Sequence, residues 1–274
     1  IIPFSKRYPD EFLSRTEDNF DQFIEKLRLF YEQTKADIGD GTISRRKLNK
    51  RFDYQNELSA LSVNQKGIDS EEVIIEFNEM LKGCIRHQDP MTAFNIMPSP
   101  LFDVVAGITL LNLYTPNVCW DFISGKLALF EKKIMCMLGR LVSWQQADGF
   151  VVTGGKQAIT YAIKSGINRA SLTSYVEMSD FVVICSDLAH YSIEHVCYYL
   201  GMRPENCLRV PTLISGEIDI QAFEETLNRV VSANKRIAAV IAVGGGTVNL
   251  VPDPILIMKQ TIDHFAKERG LDYV

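Results

Sequence analysis

The sequence lacks the features that mark several large classes of protein. No stretch of about twenty apolar residues is free of charge or proline, which argues against a transmembrane helix. The start, IIPFSKRYPDEF, has no basic region followed by an apolar core, so we expect no signal peptide. The six cysteines show no CxxC spacing, which favours free thiols in a reducing cytosol over disulfides or a metal site. The net charge is -5 without a strong basic tract, which argues against nucleic acid or a membrane surface as partner. We therefore predict a cytoplasmic protein.

What the sequence does contain suits a folded chain with a sizeable core. It has 274 residues, of which 46% are hydrophobic and 23% are charged. Residues 1–113 show helical patterns at 8–37, 71–82 and 99–113, and nothing there builds a parallel sheet. The apolar sides of these helices have no complete core of their own. We predict a helical arm over 1–113 that needs a partner surface.

The pattern changes from residue 126 onwards. An amphipathic helix over 126–144 precedes a glycine-led helix, and apolar strands then alternate with helices. The predicted strands are 181–186, 208–210 and 237–243, with another beginning at 271, and the predicted helices are 192–200, 219–232 and 254–269. Asp219 and Asp253 each stand where a helix N-cap is expected. This alternation predicts an α/β fold, a mostly parallel sheet with helices on both faces.

The stretch GFVVTGGKQAITYAIKSGINR, residues 149–169, places two glycines directly before a helix that starts at about Lys156. Glycines let a backbone approach an anion closely. The free N–H groups of the first helical turn, with the helix dipole behind them, then favour the anion. The stretch is a candidate phosphate cradle, and a plain tight turn is the alternative.

Three pieces at strand-to-helix junctions carry a family resemblance. They are Thr153-Gly154-Gly155-Lys156, then Ser186-Asp187-Leu188-Ala189-His190-Tyr191-Ser192, then Gly244-Gly245-Gly246-Thr247 with Asp253-Pro254. In this order they resemble the pyridoxal-phosphate-dependent (group II, fold type I) decarboxylases related to glutamate and aromatic amino-acid decarboxylases. In that family the pieces look like TSGGTEAN, S-D/E-x-A-H-x-S and AGTTxxGAxDPI. The resemblance covers roughly residues 85–274, including the segment from Asn117 to Glu131.

The resemblance implies a cofactor, a reaction and roles for particular residues. The cofactor is pyridoxal 5'-phosphate, and the reaction is decarboxylation of a small-molecule L-amino acid. It also implies a homodimer with active sites at the subunit interface. The cofactor-binding residues that it implies are Gly154, Gly155, Lys156, His190 and Thr247. Among them, His190 is implied as the catalytic residue, which stacks on the cofactor ring. The implied wall of the substrate pocket contains Phe94, Ile96 and Met97. The apolar Ile96 suits an apolar or aromatic substrate. On this basis 1–113 is a dimerisation arm and 114–274 the N-terminal part of the cofactor-binding large domain.

The sequence also departs from the family pattern. Lys156 replaces a small hydroxyl residue, Gln157-Ala158-Ile159 replaces Glu-Ala-Asn, and Gly246 stands where a threonine is common. The aspartate that holds the pyridine nitrogen and the Schiff-base lysine, which follow in the family, are absent. We therefore expect the N-terminal part of a longer enzyme, inactive alone, or an incomplete relative.

Several alternatives stay open at this point. One alternative is that the protein is another fold-type-I pyridoxal-phosphate lyase, and a second is that it is a non-catalytic relative that acts in subunit assembly. For His190, the alternative to ring stacking is a role as a cap for the helix of 192–200. The other histidines, His87, His195 and His264, have no partner pattern, and we expect them to be structural.

Overall fold

The computed structural model describes residues 19–38, 54–59, 67–81, 100–172, 176–246 and 249–271, and the chain divides into two units, Ile1–Phe130 and Glu131–Val274. The described part of the first unit is helical. Its helices are α1 (Phe20–Ile38), α2 (Tyr54–Ser59), α3 (Ser70–Leu81), α4 (Phe102–Tyr114) and α5 (Asp121–Ser124), and α6 (Leu127–Leu141) begins at its end. The helices predicted at 71–82, 99–113 and 126–144 are confirmed to within a few residues. The helix predicted at 8–37 is confirmed from Phe20, while 8–18 lie outside the described residues.

Helices α1 and α3 pack against each other, and both an aromatic and a polar contact lie between them. The rings of Phe30 and Phe77 lie 5.2 Å apart, and Asn78 Nδ2 donates to Gln33 Oε1 at 2.6 Å. Helix α4 differs, because its apolar side chains are broadly exposed. Phe102 is 86% exposed and Ile108 is 57% exposed. None of the described helices is long and apolar enough to span a membrane.

The second unit contains a parallel sheet between two helical layers, as the alternating pattern predicted. Its elements are α7 (Gly155–Ala170), β1 (Phe181–Ser186), α8 (Ser192–Tyr199), β2 (Cys207–Val210), α9 (Ile220–Ser232), β3 (Arg236–Ile241) and α10 (Ile255–Arg269). The strand order is β2-β1-β3, and both pairings are parallel. Strand β1 is central and buried along its whole length, which is why it was recognisable as a continuous apolar run.

Alternate residues of β1 enter the two cores on opposite faces of the sheet. Phe181, Val183 and Cys185 pack with Ile163 and Ile167 of α7 and with Ile193 and Val196 of α8. Val182 and Ile184 pack with Phe223 and Leu227 of α9 and with Met258 and Phe265 of α10. The predicted fold class, an α/β unit with helices on both faces of a parallel sheet, is therefore confirmed.

Helix α7 runs antiparallel to the strands, and this direction positions its glycine-led start. Arg236, the first residue of β3, donates from Nη1 to the carbonyl of Ala170 at the end of α7, at 3.2 Å. Gly166 lies against β3 so closely that an added Cβ would sit 1.9 Å from the carbonyl oxygen of Ala238. A sixteen-residue helix and a six-residue strand have similar lengths, about 24 and 20 Å. The start of α7 therefore lies at the carboxyl ends of the strands.

Candidate cofactor site

Three loops meet at the carboxyl edge of the sheet. They are the turn before α7, the connection from β1 to α8, and the connection from β3 to α10. Strands β1 and β3 are hydrogen-bonded neighbours, so the loops that follow them lie side by side. Open parallel sheets bind ligands at this edge. The three pieces singled out in the sequence thus belong to one end of the same sheet.

The turn before α7 is open on its glycine side. Gly154 is the N-cap residue and supplies no side-chain cap, so the first-turn N–H groups have no intrahelical acceptor. A Cβ added at Gly154 or Gly155 would meet no atom within 4 Å. The Gln157 side chain folds back, and its Oε1 accepts from the Thr153 N–H at 3.2 Å and the Thr153 hydroxyl at 2.6 Å. The turn is therefore braced by Gln157 and remains accessible to an anion.

His190 is exposed, and one edge of its ring is fixed locally. Its Nδ1 accepts from the backbone N–H of Ser192 at 3.2 Å and lies 2.7 Å from the Ser192 hydroxyl. An acceptor Nδ1 places the proton of a neutral imidazole on Nε2. The ring also lies against Tyr191, with 4.3 Å between centroids and a tilt of 31°. The bond to Ser192, the first residue of α8, is of the kind expected for the capping role that the sequence left as an alternative, and among the described residues Nε2 has no hydrogen-bond partner.

Lys156 and His195 form a contact that the sequence gave no reason to expect. Lys156 Nζ lies 3.3 Å from His195 Nδ1 and 5.5 Å from the centre of the Tyr191 ring. The ring of His195 meets that of Tyr191 edge to face at 5.1 Å. An ammonium group only donates, so His195 Nδ1 accepts this bond. The pair joins the start of α7 to the first turn of α8, and the approach of Lys156 to the Tyr191 ring joins the first of the three pieces to the second.

Asp253 holds the third loop from inside the protein. The residue is 5% exposed. Its Oδ1 accepts from the Ile218 N–H at 3.0 Å, and its Oδ2 accepts from the Val243 N–H at 2.8 Å. The prediction that Asp253 is a helix N-cap is wrong. Pro254 occupies the N-cap position of α10, and no side chain caps that helix. The carboxylate of Asp253 binds two backbone N–H groups from distant segments instead of the N–H groups at the start of α10. Asp219, by contrast, is confirmed as the cap of α9.

Three of the described cysteines lie together in the core on the face of the sheet that α7 and α8 cover. Cys185, Cys197 and Cys207 are buried in one cluster, and all described cysteines are free thiols. Hydrogen bonds donated by the thiols of Cys185 and Cys197 lower the pKa of Cys207. Hydrogen bonding to Cys207, followed by burial, raises the pKa of Cys185 and Cys197. Because the three are packed away from solvent, we assign them to the core.

The structure brings together only part of the predicted site. Gly154, Gly155, Lys156 and His190 lie at the carboxyl edge as described above. Thr247 lies outside the described residues, and so do the residues predicted to line the substrate pocket, Phe94, Ile96 and Met97. Sequence reasoning gave no site role to three further residues, Gln157, Tyr191 and His195. The first was noted only as a departure from the family pattern, the second only as part of a motif, and the third was expected to be structural.

Comparison with known proteins points to amino-acid decarboxylases. No family model matches the sequence. Over 179 residues, or 64% of the chain, it is 28% identical to a glutamate decarboxylase-like protein of Gibberella zeae, of which the match covers 34%. Over 206 residues, or 73% of the chain, it is 21% identical to an acidic amino acid decarboxylase of Xenopus tropicalis, of which the match covers 40%. The chain thus spans well under half the length of these relatives.

Solved structures of decarboxylases share the fold of this chain. The glutamate decarboxylase domain of a diaminobutyrate-pyruvate transaminase and L-2,4-diaminobutyrate decarboxylase from Vibrio parahaemolyticus has a TM-score of 0.78 at 15% identity. The match covers 97% of this chain and 60% of that one. Tryptophan decarboxylase from Catharanthus roseus has a TM-score of 0.73 at 16% identity, over 94% of this chain and 55% of that one. The resemblance to group II pyridoxal-phosphate decarboxylases is confirmed, and the chain matches a part of such a protein.

Proposed function

We propose that the complete protein is a pyridoxal-phosphate-dependent decarboxylase of an L-amino acid, a carboxy-lyase. The described chain supplies the phosphate cradle and the histidine that stacks on the cofactor ring. The observation that carries the proposal is the meeting of the glycine turn, the His190 loop and the third loop at one edge of the sheet. The decarboxylases among its relatives give the reaction class.

The described residues fit the cofactor phosphate on three counts. The space beside Gly154 and Gly155 is open, and the uncapped N–H groups of the first turn of α7 suit a phosphate dianion. The Lys156 ammonium, held by His195, adds a positive charge near the same turn. When bound, pyridoxal phosphate supplies an electron-withdrawing ring that stabilises the negative charge left by loss of carbon dioxide.

The chain's own groups then have distinct tasks. Backbone N–H groups of Gly155 and Lys156 bind the phosphate and anchor the ring. The imidazole of His190 is oriented by its Nδ1 bond to Ser192, so it presents a ring of fixed direction to its ligand. Thr247 contributes a hydroxyl near the cofactor in this proposal, and Phe94, Ile96 and Met97 form one wall of the substrate pocket.

A spectroscopic titration with a matched control tests the proposal. The full-length protein should bind pyridoxal phosphate with a visible absorption band and release carbon dioxide from at least one L-amino acid. His190→Ala should lower cofactor affinity or turnover at least tenfold, because the ring loses its stacking partner. His264→Ala is the control, since His264 is exposed on α10 and its ion-pair partner among the described residues is Glu268, at 3.2 Å. Unchanged binding and turnover in His190→Ala would leave His190 only its local role.

Substrate choice is a separate part of the proposal. The apolar Ile96 at the pocket wall favours an apolar or aromatic side chain, because a substrate carboxylate there would lose a hydrogen-bond partner. A panel of aromatic, acidic and basic L-amino acids at equal concentration compares the classes directly. Preference for glutamate over the aromatic acids would contradict this assignment while leaving the reaction class intact.

We further propose a cytoplasmic homodimer in which residues 1–113 form the dimerisation arm and 114–274 belong to the cofactor-binding domain. The exposed apolar surface of α4 supports the arm. Burying ~1,000 Å² of such surface contributes about 25 kcal/mol before entropic costs. The free thiols agree with a reducing compartment. Sedimentation of the full-length protein at micromolar concentration should give a dimer, and an active monomer would contradict the arrangement.

A further inference from the structure

Arg209 reaches from β2 to the loop that carries His190. Its Nη1 donates to the carbonyl oxygen of Ala189 at 2.7 Å and to that of Ser186 at 3.3 Å. Its Nη2 lies 3.9 Å from Glu194 Oε2 on α8. Ser186 and Ala189 are buried, at 2% and 6% exposed, whereas the glutamate side chain is 58% exposed, so the carbonyl bonds are the better shielded of these contacts.

The two carbonyl groups bracket the turn between β1 and His190. Ser186 is the last residue of β1, and Ala189 directly precedes the histidine. A second bond ties the same turn to β2, since the Asp187 N–H donates to the Val210 carbonyl at 2.8 Å. A guanidinium group has several donors in a rigid plane, so one arginine can hold both carbonyls in a fixed relation.

We propose that Arg209 is a positioning residue for His190: by gripping the carbonyls of Ser186 and Ala189, it fixes the turn from which the imidazole projects. The histidine then has two constraints, the backbone path set from β2 and the ring edge set by Ser192. The consequence for cofactor binding rests on the proposed function, whereas the consequence for the geometry of His190 does not.

Nitrogen NMR of the imidazole tests the geometric part without cofactor. In the full-length protein labelled with [15N]histidine, the signals of His190 are identified by their loss in His190→Gln. The wild-type protein should show an unprotonated acceptor Nδ1 and a protonated Nε2. Arg209→Met should shift both signals towards the tautomer-averaged values of a free imidazole. Arg209→Lys, which keeps a donor, should restore most of the wild-type pattern.

A neighbouring arginine provides the matched control. Arg203→Met removes an exposed guanidinium that lies 3.8 Å from Glu205, and it should leave the His190 signals unchanged. Wild-type His190 signals in Arg209→Met would overturn the proposal. Should that variant fail to fold, Arg209→Gln, which keeps one amide donor, takes its place and should give an intermediate shift; wild-type signals there would equally overturn it.

Cofactor titration gives the second measurement. Arg209→Met should weaken binding of pyridoxal phosphate about tenfold, which corresponds to ~1.4 kcal/mol, and Arg209→Lys should recover most of that loss. If the wild-type protein binds no pyridoxal phosphate, the proposed function fails, and the NMR comparison still decides the role of Arg209. Wild-type affinity in an Arg209→Met protein with shifted His190 signals would overturn the claim that this positioning matters for the cofactor.

Discussion

Substitution of aspartate by asparagine, which replaces one carboxylate oxygen with an amide nitrogen, should affect the stability of this fold differently at Asp219 and at Asp253. Asp219 caps α9 by accepting from the N–H groups of Gln221 and Ala222 through one oxygen, Oδ1. Asp253 uses both oxygens, one for Ile218 and one for Val243. Asparagine keeps one acceptor oxygen and replaces the other with an NH₂ donor. We therefore expect Asp219→Asn to be tolerated and Asp253→Asn to destabilise the protein.

The contacts set the size of the difference. Asparagine is as good an N-cap as aspartate, so Asp219→Asn should change the free energy of unfolding by less than about 0.5 kcal/mol. At Asp253, one N–H loses its acceptor and meets a donor instead. A hydrogen bond to a charged group contributes about 1.5–3 kcal/mol, and an unsatisfied buried N–H costs about 1–3 kcal/mol. We expect Asp253→Asn to lower the free energy of unfolding by ~2–4 kcal/mol.

Alanine variants extend the comparison. Asp219→Ala removes a cap and should cost about 1 kcal/mol. Both substitutions at Asp253 remove the buried negative charge, so its desolvation does not distinguish them. Asp253→Ala leaves two N–H groups without an acceptor, whereas Asp253→Asn keeps one acceptor but sets an amide donor against the other N–H. We expect Asp253→Ala to cost about as much as Asp253→Asn rather than twice as much.

Urea unfolding of the four variants measures these differences. The midpoint and the slope are both needed, because a change in slope would indicate a change in the denatured state rather than in the native contacts. Equal costs for Asp253→Asn and Asp219→Asn would refute the reasoning, since they would mean that the bonds to Ile218 and Val243 carry no net stability.

The remaining predictions concern packing and charge at α7. Gly166→Ala should destabilise the protein by ~1–3 kcal/mol in urea unfolding, because the added Cβ overlaps the Ala238 carbonyl. Gly107→Ala in α4 is the matched control: no atom lies within 4 Å of its added Cβ, so it should be stabilising by up to about 1 kcal/mol. Lys156→Met should weaken binding of pyridoxal phosphate about tenfold, a loss of ~1.4 kcal/mol. Lys164 is exposed on the same helix, and Lys164→Met is the control. A fluorescence titration measures the affinity for pyridoxal phosphate in both variants, and it should be unchanged in Lys164→Met.

The strands and the α9 cap were predictable because their signals are local. A central parallel strand is buried on both faces, so β1 is apolar at nearly every position. Asp219 precedes its helix by one residue and bonds N–H groups two and three residues away. In both cases the residues that decide the structure are neighbours in sequence.

The contacts of Asp253 and Arg209 were not predictable, because their partners are distant in sequence. Asp253 stands before a proline at a helix start, which is also what a helix cap looks like, yet its donors lie 35 and 10 residues away in the chain. Arg209 is a single charged residue inside a short strand, and its acceptors are backbone carbonyls 20 and 23 residues away. Every residue has a backbone carbonyl whatever its type, so no sequence motif predicts such a contact.

Lys156 and Gln157 depart from the family pattern, yet neither side chain blocks the glycine turn as an anion-binding site. Lys156 stands where a small hydroxyl is usual, and a lysine lying across the turn would have closed it. Instead Nζ is drawn to His195 and the Tyr191 ring, and the space beside both glycines stays open. Gln157 binds Thr153 and so does not occupy the first-turn N–H groups. The substitutions exchange a neutral hydroxyl for a positive charge beside the turn, which favours a phosphate dianion.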